Sequence, residues 1–180
     1  TPLCSIITDI SMDHGAILGY TLEDISREKS GIIKGGVPVV TSNTGPSVLG
    51  PILETAGSRE SPIYVYTGNF TASNISETST GYSFDYSLDA GDPVTIPGVF
   101  INHPLEKQVA NSSCAITAAV ISRGEFPNLS DDVIKSGINA FSAPGRFQTL
   151  WMEPLVIFDP AHNEAALYEM FKVVSRRFPD

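Results

Sequence analysis

The stretch LCSIITDISMDHGAILGYTLEDISREKSGIIKGGVPVVT, residues 3–41, decides the fold. It opens with the largely apolar run Leu3–Ile10, which is typical of a buried strand. Thr21 and Asp24 are then spaced as an N-cap and its capping-box partner, and they predict a short helix. Val37–Thr41 is a second apolar run behind a pair of glycines, and it predicts another buried strand. The order strand, helix, strand predicts an α/β protein with a mostly parallel sheet.

The remainder of the chain continues this alternation. An alternating pattern predicts a strand over 62–66, and an apolar run predicts a buried strand over 155–158. Helical spacing predicts helices over 47–56, 106–123, 130–141 and 163–177. Residues 68–92 are rich in Ser, Thr, Gly and Asn, which favours hairpins or an inserted segment centred on 82–88. Ala143-Pro144-Gly145 interrupts the pattern before the last strand, and we expect a second domain to begin there.

Composition excludes several classes of protein. The 180 residues carry 20 acidic and 11 basic side chains, a formal charge of -9, so the chain has no overall field that would attract nucleic acid or an anionic membrane. Its apolar runs are too short to cross a bilayer. The two cysteines, Cys4 and Cys114, make neither a disulfide framework nor a metal-ligand spacing. We therefore expect a reducing compartment, the cytoplasm or alternatively the mitochondrion.

Two positions early in the chain are candidates for chemistry. Asp13-His14 follows the first predicted strand, and the ligands of open α/β sheets gather at the carboxyl ends of strands. Lys29 lies at the end of the first predicted helix, beside Glu28. Each position has a structural alternative, because a strand-end histidine can be a satisfied structural residue and a lysine favours a helix C-terminus by its charge alone.

Two later segments are candidates as well. Arg146 follows a Pro-Gly break that could aim its guanidinium at phosphate or carboxylate, although a linker salt bridge would need the same residue. The segment from Asp159 through His162 to Asn163 lies between a predicted strand and a predicted helix. It combines a carboxylate, an imidazole and backbone N–H groups in one turn. The structural alternative is that Asp159 or Asn163 only caps the following helix.

Three segments resemble the motifs of a known family. Residues 10–34 resemble the D-H-x-x-x-L-G-x-T-x-x-x-I-x-x-E-K-x-G-I signature of dihydrofolate synthases and folylpolyglutamate synthases. Ala143–Phe147 and Phe158–Asn163 are similar to the P-G-R-x and D-G-A-H-N motifs of the same family, in the same order. The family belongs with the Mur ligases, ATP-dependent enzymes that join an amino acid to a carboxylate through an acyl phosphate.

The resemblance implies a magnesium site. His14 is implied to be a ligand of Mg²⁺, and Lys29 is implied to be a catalytic lysine that is carbamylated and also binds the metal. Carbamylation converts an amine into an anionic oxygen ligand, which is the kind of ligand that magnesium prefers.

The resemblance also implies a nucleotide site. Arg146 and His162 are implied to lie at the phosphates of ATP, and Asn111 is implied to contact the adenine. Asp159 and His162 are implied to belong to a catalytic site between two domains. The chain departs from the family motif at Pro160, which stands in place of a glycine and fixes the backbone φ angle.

The implied fold has two parts. Residues 1–142 resemble the late part of a P-loop-type Mur ligase ATPase domain, 143–148 an interdomain linker, and 149–180 the start of a Rossmann-like C-terminal domain. The sequence contains no Gly-Lys dipeptide, so the G-x-x-x-x-G-K-[ST] loop that cradles the phosphates of ATP is missing. In the family that loop lies upstream of these segments. We therefore expect the 180 residues to be a fragment that is inactive by itself.

The implied activity is the ATP-dependent joining of L-glutamate to dihydropteroate, which makes dihydrofolate. The alternatives are a folylpolyglutamate synthase that extends the glutamate tail of folates, one enzyme with both activities, and a non-catalytic module that binds a partner. The implied partners of the enzyme are small molecules: dihydropteroate or folate, L-glutamate, and ATP with Mg²⁺. We expect the full-length protein to be a monomer.

Overall fold

The computed structural model describes residues 2–12 and 21–178. Within these ranges the strands are β1 (Ser5–Ile7), β2 (Val39–Thr41), β3 (Ile63–Val65), β4 (Phe70–Glu77), β5 (Tyr82–Leu88), β6 (Val94–Ile101), β7 (Gln148–Met152) and β8 (Leu155–Phe158). The helices are α1 (Leu22–Ser30), α2 (Pro46–Ser58), α3 (Lys107–Ile121), α4 (Asp131–Asn139) and α5 (Glu164–Arg177). None of the described helices is long and apolar enough to cross a membrane.

The first sheet has the strand order β1-β2-β3, and both strand pairs are parallel. α1 begins at the predicted cap, because Thr21 Oγ1 accepts a hydrogen bond of 3.1 Å from Asp24 N. Side chains of the sheet and of α2, among them Ile7, Val39 and Ile52, are buried in one apolar cluster. The prediction of an α/β protein with a parallel sheet is confirmed.

The second sheet is antiparallel, with the order β4-β5-β6, and it accounts for the polar segment in which hairpins were expected. Alternate residues of β5 are buried, and they share one core with side chains of α3. Within that core the Tyr86 hydroxyl and Thr117 Oγ1 are 2.8 Å apart. Because α3 contacts strands of both the parallel and the antiparallel sheet, this helix holds the two sheets together.

The third sheet contains the antiparallel pair β7 and β8. β8 forms where a strand was expected, but the prediction that it is buried is wrong: Val156 is 40% and Phe158 52% exposed. In the described part of the chain β8 pairs only with β7, whose Trp151 and Met152 are each 67% exposed. An apolar run predicts burial only if a second layer covers it, and here the described residues supply none.

A small apolar cluster joins the C-terminal elements to the rest of the molecule. Leu105, just before α3, is buried together with Phe147 and with Val173 of α5. The contact brings the segment between α4 and α5 next to the first turn of α3. The domain boundary expected at 143–148 stays a prediction.

Ion pairs fix the other end of α5. Arg176 Nη2 lies 2.9 Å from Tyr82 Oη and 2.9 Å from Glu77 Oε1. Arg177 donates to the backbone oxygen of Ser79 at 2.9 Å and lies 3.3 Å from the same Glu77 oxygen. The helix is therefore held at its C-terminal end by the β4–β5 hairpin.

Candidate functional site

A polar cleft with a volume of about 570 Å³ opens where these parts of the chain meet. Its wall is formed by the segment that follows β1, the first turns of α3, the loop before β7, and the turn between β8 and α5. The segment after β1 contributes Thr8, Asp9 and Ser11. The cleft therefore lies at the carboxyl end of a parallel strand, where ligands of α/β sheets gather.

The turn that carries Arg146 depends on its glycine. Gly145 has a φ of +78°, in the left-handed region, and a Cβ at this position would lie 3.3 Å from the Phe158 ring. Arg146 N donates to Ala143 O at 3.0 Å and closes the turn. Phe147 is 8% exposed and points away from solvent, whereas Arg146 is exposed and lines the cleft.

The Asp159 carboxylate joins two of the predicted motifs. Its Oδ2 accepts a hydrogen bond of 2.8 Å from Phe147 N, and its Oδ1 accepts one of 2.8 Å from Ala161 N. Asn163 is the residue that caps α5, because its Oδ1 accepts from Ala166 N at 2.9 Å. Asp159 therefore anchors the two turns to each other, and Asn163 begins the helix.

His162 lies on the second of these turns. Its Nδ1 donates to the carbonyl oxygen of Pro160 at 2.9 Å, since a carbonyl can only accept. The imidazole is exposed and lines the cleft on the same side of the molecule as Arg146. The proline that replaces the motif glycine thus leaves an orienting carbonyl in place.

Several groups in the wall of the cleft favour a bound anion. The first turns of α3 and α5 both line it, and a helix N-terminus carries about half a positive charge. Lys107 and Arg146 add full positive charges. Three acidic residues also line the cleft: Asp9, Asp159 and Glu169. The Asp159 carboxylate already accepts hydrogen bonds from two backbone N–H groups.

One further residue, His103, lines the cleft although sequence analysis passed over it. It is 4% exposed, and its Nδ1 accepts a hydrogen bond of 3.2 Å from Leu105 N. The neutral ring therefore carries its proton on Nε2. Among the described residues Nε2 has no hydrogen-bond partner, and solvent does not reach it. The sequence signal was the same as for His14, since His103 closely follows a strand.

Burial lowers the pKa of His103 below its ordinary value. The negative charge of Asp159 raises this pKa, whereas the positive charges of Lys107, Arg177 and Arg146 lower it further. Because the effect of burial is the largest of these, the ring is neutral at neutral pH.

The structure brings together four of the six residues to which the family resemblance assigns a role: Asn111, Arg146, Asp159 and His162 all line the cleft. Lys29 is exposed in the last turn of α1 and is not part of the cleft wall. His14 lies outside the described residues. Within 2–12 and 21–178 no group of three or more His, Cys, Asp and Glu side chains could hold a metal ion. The roles of these residues in chemistry stay predictions.

Curated relatives match nearly the whole chain. The dihydrofolate synthase/folylpolyglutamate synthase of Bacillus subtilis is 31% identical over 178 residues, which are 98% of this chain and 41% of that protein. The probable dihydrofolate synthetase of Schizosaccharomyces pombe is 31% identical over 182 residues, which are 97% of this chain and 40% of that protein. The chain therefore spans about two fifths of these relatives. It matches no family model.

Solved structures match the fold. An FPGS–AMPPCP–folate complex, 26% identical, superposes with a TM-score of 0.90 over 100% of this chain and 43% of that one. The folylpolyglutamate synthase of Thermotoga maritima, 27% identical, superposes with a TM-score of 0.80 over 97% of this chain and 38% of that one. The fold and the cleft thus define an α/β protein with the architecture of a folylpolyglutamate synthase segment. The chain's resemblance to the dihydrofolate synthase and folylpolyglutamate synthase family, predicted from three motifs, is confirmed.

We expect Gly145→Ala to lower the free energy of unfolding by about 1–2 kcal/mol, because an L residue at a left-handed φ carries that cost. Urea denaturation measures the change. Gly137→Ala is the matched control, since Gly137 is exposed within α4 and has open space around it. The control should raise stability by about 0.5–1 kcal/mol. Changes of the same sign in both variants would contradict the assigned strain at Gly145.

We also expect His103 to make folding pH-dependent. Because its pKa is lowered in the folded protein, the unfolded chain binds more protons at this site as the pH falls below about 6.5. The stability that the buried neutral ring provides is therefore fully present above that pH and is lost as the pH falls from about 6.5 to the lower folded pKa. His103→Asn removes the titrating group. Urea unfolding at neutral and acidic pH should show a smaller acid loss for the variant, and equal losses would refute the prediction.

Proposed function

We propose that the chain is a segment of an ATP-dependent ligase that joins L-glutamate to the carboxylate of dihydropteroate and so makes dihydrofolate. The observation that carries this proposal is the cleft, in which Asn111, Arg146, Asp159 and His162 meet although they come from three separate parts of the sequence. Relatives named dihydrofolate synthase or dihydrofolate synthetase match nearly all of the chain, which supports the same proposal.

ATP is the phosphate donor in the proposal. An anion in the cleft is favoured by two helix N-termini and by the side chains of Lys107 and Arg146. A nucleoside triphosphate is an anion of this kind. A similar structure is a complex with AMPPCP, a non-hydrolysable ATP analogue, and with folate. We assign Arg146 and His162 to the phosphates and Asn111 to the adenine.

The proposed reaction has two steps. A carboxylate oxygen of dihydropteroate attacks the γ-phosphorus of ATP, and ADP leaves. The amine of glutamate then attacks the acyl carbon of the resulting acyl phosphate, loses a proton and releases inorganic phosphate. Catalysis of both steps requires charge neutralisation and positioning more than proton transfer.

Each cleft residue has a distinct part in this scheme. Arg146 offsets negative charge on the phosphates through its guanidinium fork. Asp159 holds the turn that presents Arg146, because its two oxygens accept backbone N–H groups from both motif turns. We therefore assign Asp159 to positioning. His162 is oriented by the hydrogen bond between its Nδ1 and the Pro160 carbonyl oxygen, and we assign its imidazole to the phosphates of ATP.

Polyglutamation of folates is the second candidate activity. The B. subtilis relative carries both names, and the S. pombe relative carries only that of dihydrofolate synthetase, at the same 31% identity. A non-catalytic module is a weaker candidate, since a scaffold has no need for these four polar side chains around one cleft.

Magnesium is the metal that the family resemblance implies. Of its two implied ligands, the structure describes Lys29 only, and an exposed lysine amine is not an oxygen ligand unless it is carbamylated. The described residues hold no cluster of three or more metal-binding side chains either. The described residues therefore do not by themselves make a magnesium site.

A ligation assay with the full-length protein tests the proposal. We expect release of ADP that depends on both L-glutamate and dihydropteroate, with dihydrofolate identified by mass spectrometry. Activity with reduced folate but not with dihydropteroate would favour polyglutamation instead. Absence of ADP release with either acceptor would leave the non-catalytic module as the remaining candidate.

We expect both Arg146→Ala and Arg146→Lys to lower kcat/KM, and the alanine variant to lower it more. Lysine keeps the charge but loses the fork, and a hydrogen bond to a charged group contributes about 1.5–3 kcal/mol, or roughly 10- to 150-fold. Arg27→Lys is the control, because Arg27 pairs with Glu23 and Glu54 on the surface, away from the cleft. Full activity of Arg146→Lys would remove the fork from the mechanism.

The variant Lys29→Arg distinguishes a structural role of Lys29 from a chemical one. Arg at this position keeps the positive charge near the end of α1, so stability should change by no more than about 0.3–1 kcal/mol. Arginine does not form the carbamate, so Lys29→Arg should fold and lose nearly all activity. Lys34→Arg, a change of the same kind at another exposed lysine, should keep it. Near wild-type turnover of Lys29→Arg would exclude a catalytic role for Lys29.

A further inference from the structure

The buried imidazole of His103 has one nitrogen that the fold explains and one that it does not. Nδ1 accepts from Leu105 N, whereas Nε2 has no partner among the described residues. Buried donors without a partner are rare in native proteins, and each needs a reason. The position of this one, in the wall of the cleft, suggests that its acceptor is a ligand.

The neighbours of His103 point to the kind of acceptor. Lys107 and Arg146 lie close enough to lower its pKa, and neither side chain can accept a hydrogen bond. The Phe141 ring, with its centroid 6.4 Å from that of the imidazole, is not a strong acceptor either. Asp159 is the acidic neighbour, and its oxygens accept from the backbone. An acceptor that also satisfies the two cations must be negatively charged.

We propose that His103 binds the nucleotide directly, with its Nε2–H donating to a phosphate oxygen held in the cleft. The inference rests on the proposed function, which supplies the nucleotide, and adds a residue from outside the recognised motifs. Solvent does not reach Nε2 in this structure, so the cleft wall must yield locally when the bond forms.

The two helix N-termini strengthen the assignment to phosphate. The first turns of α3 and α5 line the same cleft, so their partial positive charges act on a ligand beside His103. A neutral N–H donor adds a hydrogen bond there without adding another positive charge to Lys107 and Arg146. Adenine and ribose carry no charge, so they gain less from these cations than a phosphate does.

The test measures affinity in the full-length protein by calorimetry. His103→Asn keeps an acceptor for Leu105 N and removes the inward donor, whereas His103→Gln places an amide N–H near the position of Nε2. Tyr86→Phe is the control for loss of a buried polar group, because the Tyr86 hydroxyl pairs with Thr117 in the core behind the cleft. The ligands are AMPPCP, tripolyphosphate and adenosine.

We expect His103→Asn to lower the affinity for AMPPCP and for tripolyphosphate about 10-fold or more, and to leave the affinity for adenosine unchanged. The AMPPCP affinity of His103→Gln should stay within about threefold of the wild-type value, and that of Tyr86→Phe should equal the wild-type value. Equal AMPPCP affinity of the wild type and His103→Asn overturns the inference alone. A loss confined to adenosine overturns the assignment to phosphate. If the wild type binds none of the ligands, the proposed function fails and this inference fails with it.

A measurement on the wild type covers the case in which His103→Asn does not fold. The Hε2 proton of His103, detected by NMR in ¹⁵N-histidine-labelled protein, should become protected from exchange and shift downfield when AMPPCP binds. An unchanged chemical shift and exchange rate of this proton on addition of AMPPCP would overturn the inference.

Discussion

The Asp159 carboxylate is the constraint on which the cleft depends. It accepts hydrogen bonds from Phe147 N and Ala161 N, both at 2.8 Å, and so ties the turn before β7 to the turn before α5. Phe147 lies at a positive φ of +44°, and its buried ring packs against Leu105 just before α3. Three parts of the cleft wall are thus placed by one side chain and one strained aromatic residue.

The cleft also shows how an acidic protein can favour an anion locally. With a formal charge of -9 the chain as a whole repels anions, so any attraction must come from oriented groups. Two helix N-termini, Lys107 and Arg146 supply it. Asp159, the acidic residue between the motif turns, directs its oxygens at backbone N–H groups, which limits its opposition to a negative ligand.

The features that could be predicted from the sequence are those that depend on residues close together in the chain. The Thr21 cap and the Asn163 cap depend on residues three positions away, and both form where the pattern places them. The burial expected of β8 failed because burial depends on what lies above a strand, and neighbouring residues in the sequence do not specify that. His103 escaped notice although it follows a strand as His14 does, because only the fold shows which of its ring nitrogens lacks a partner among the described residues.

Docking of the C-terminal elements and binding in the cleft are linked. α5 is held by a small apolar cluster and by partly exposed ion pairs to Glu77, which contribute about 0–1 kcal/mol each. The N-terminus of the same helix lines the cleft, so a ligand that binds there favours the docked arrangement, and docking favours the ligand by the same free energy. We therefore expect Arg177 to influence ligand affinity from the far end of α5, since a weaker hold on Glu77 would lower the fraction of molecules in which the cleft is complete.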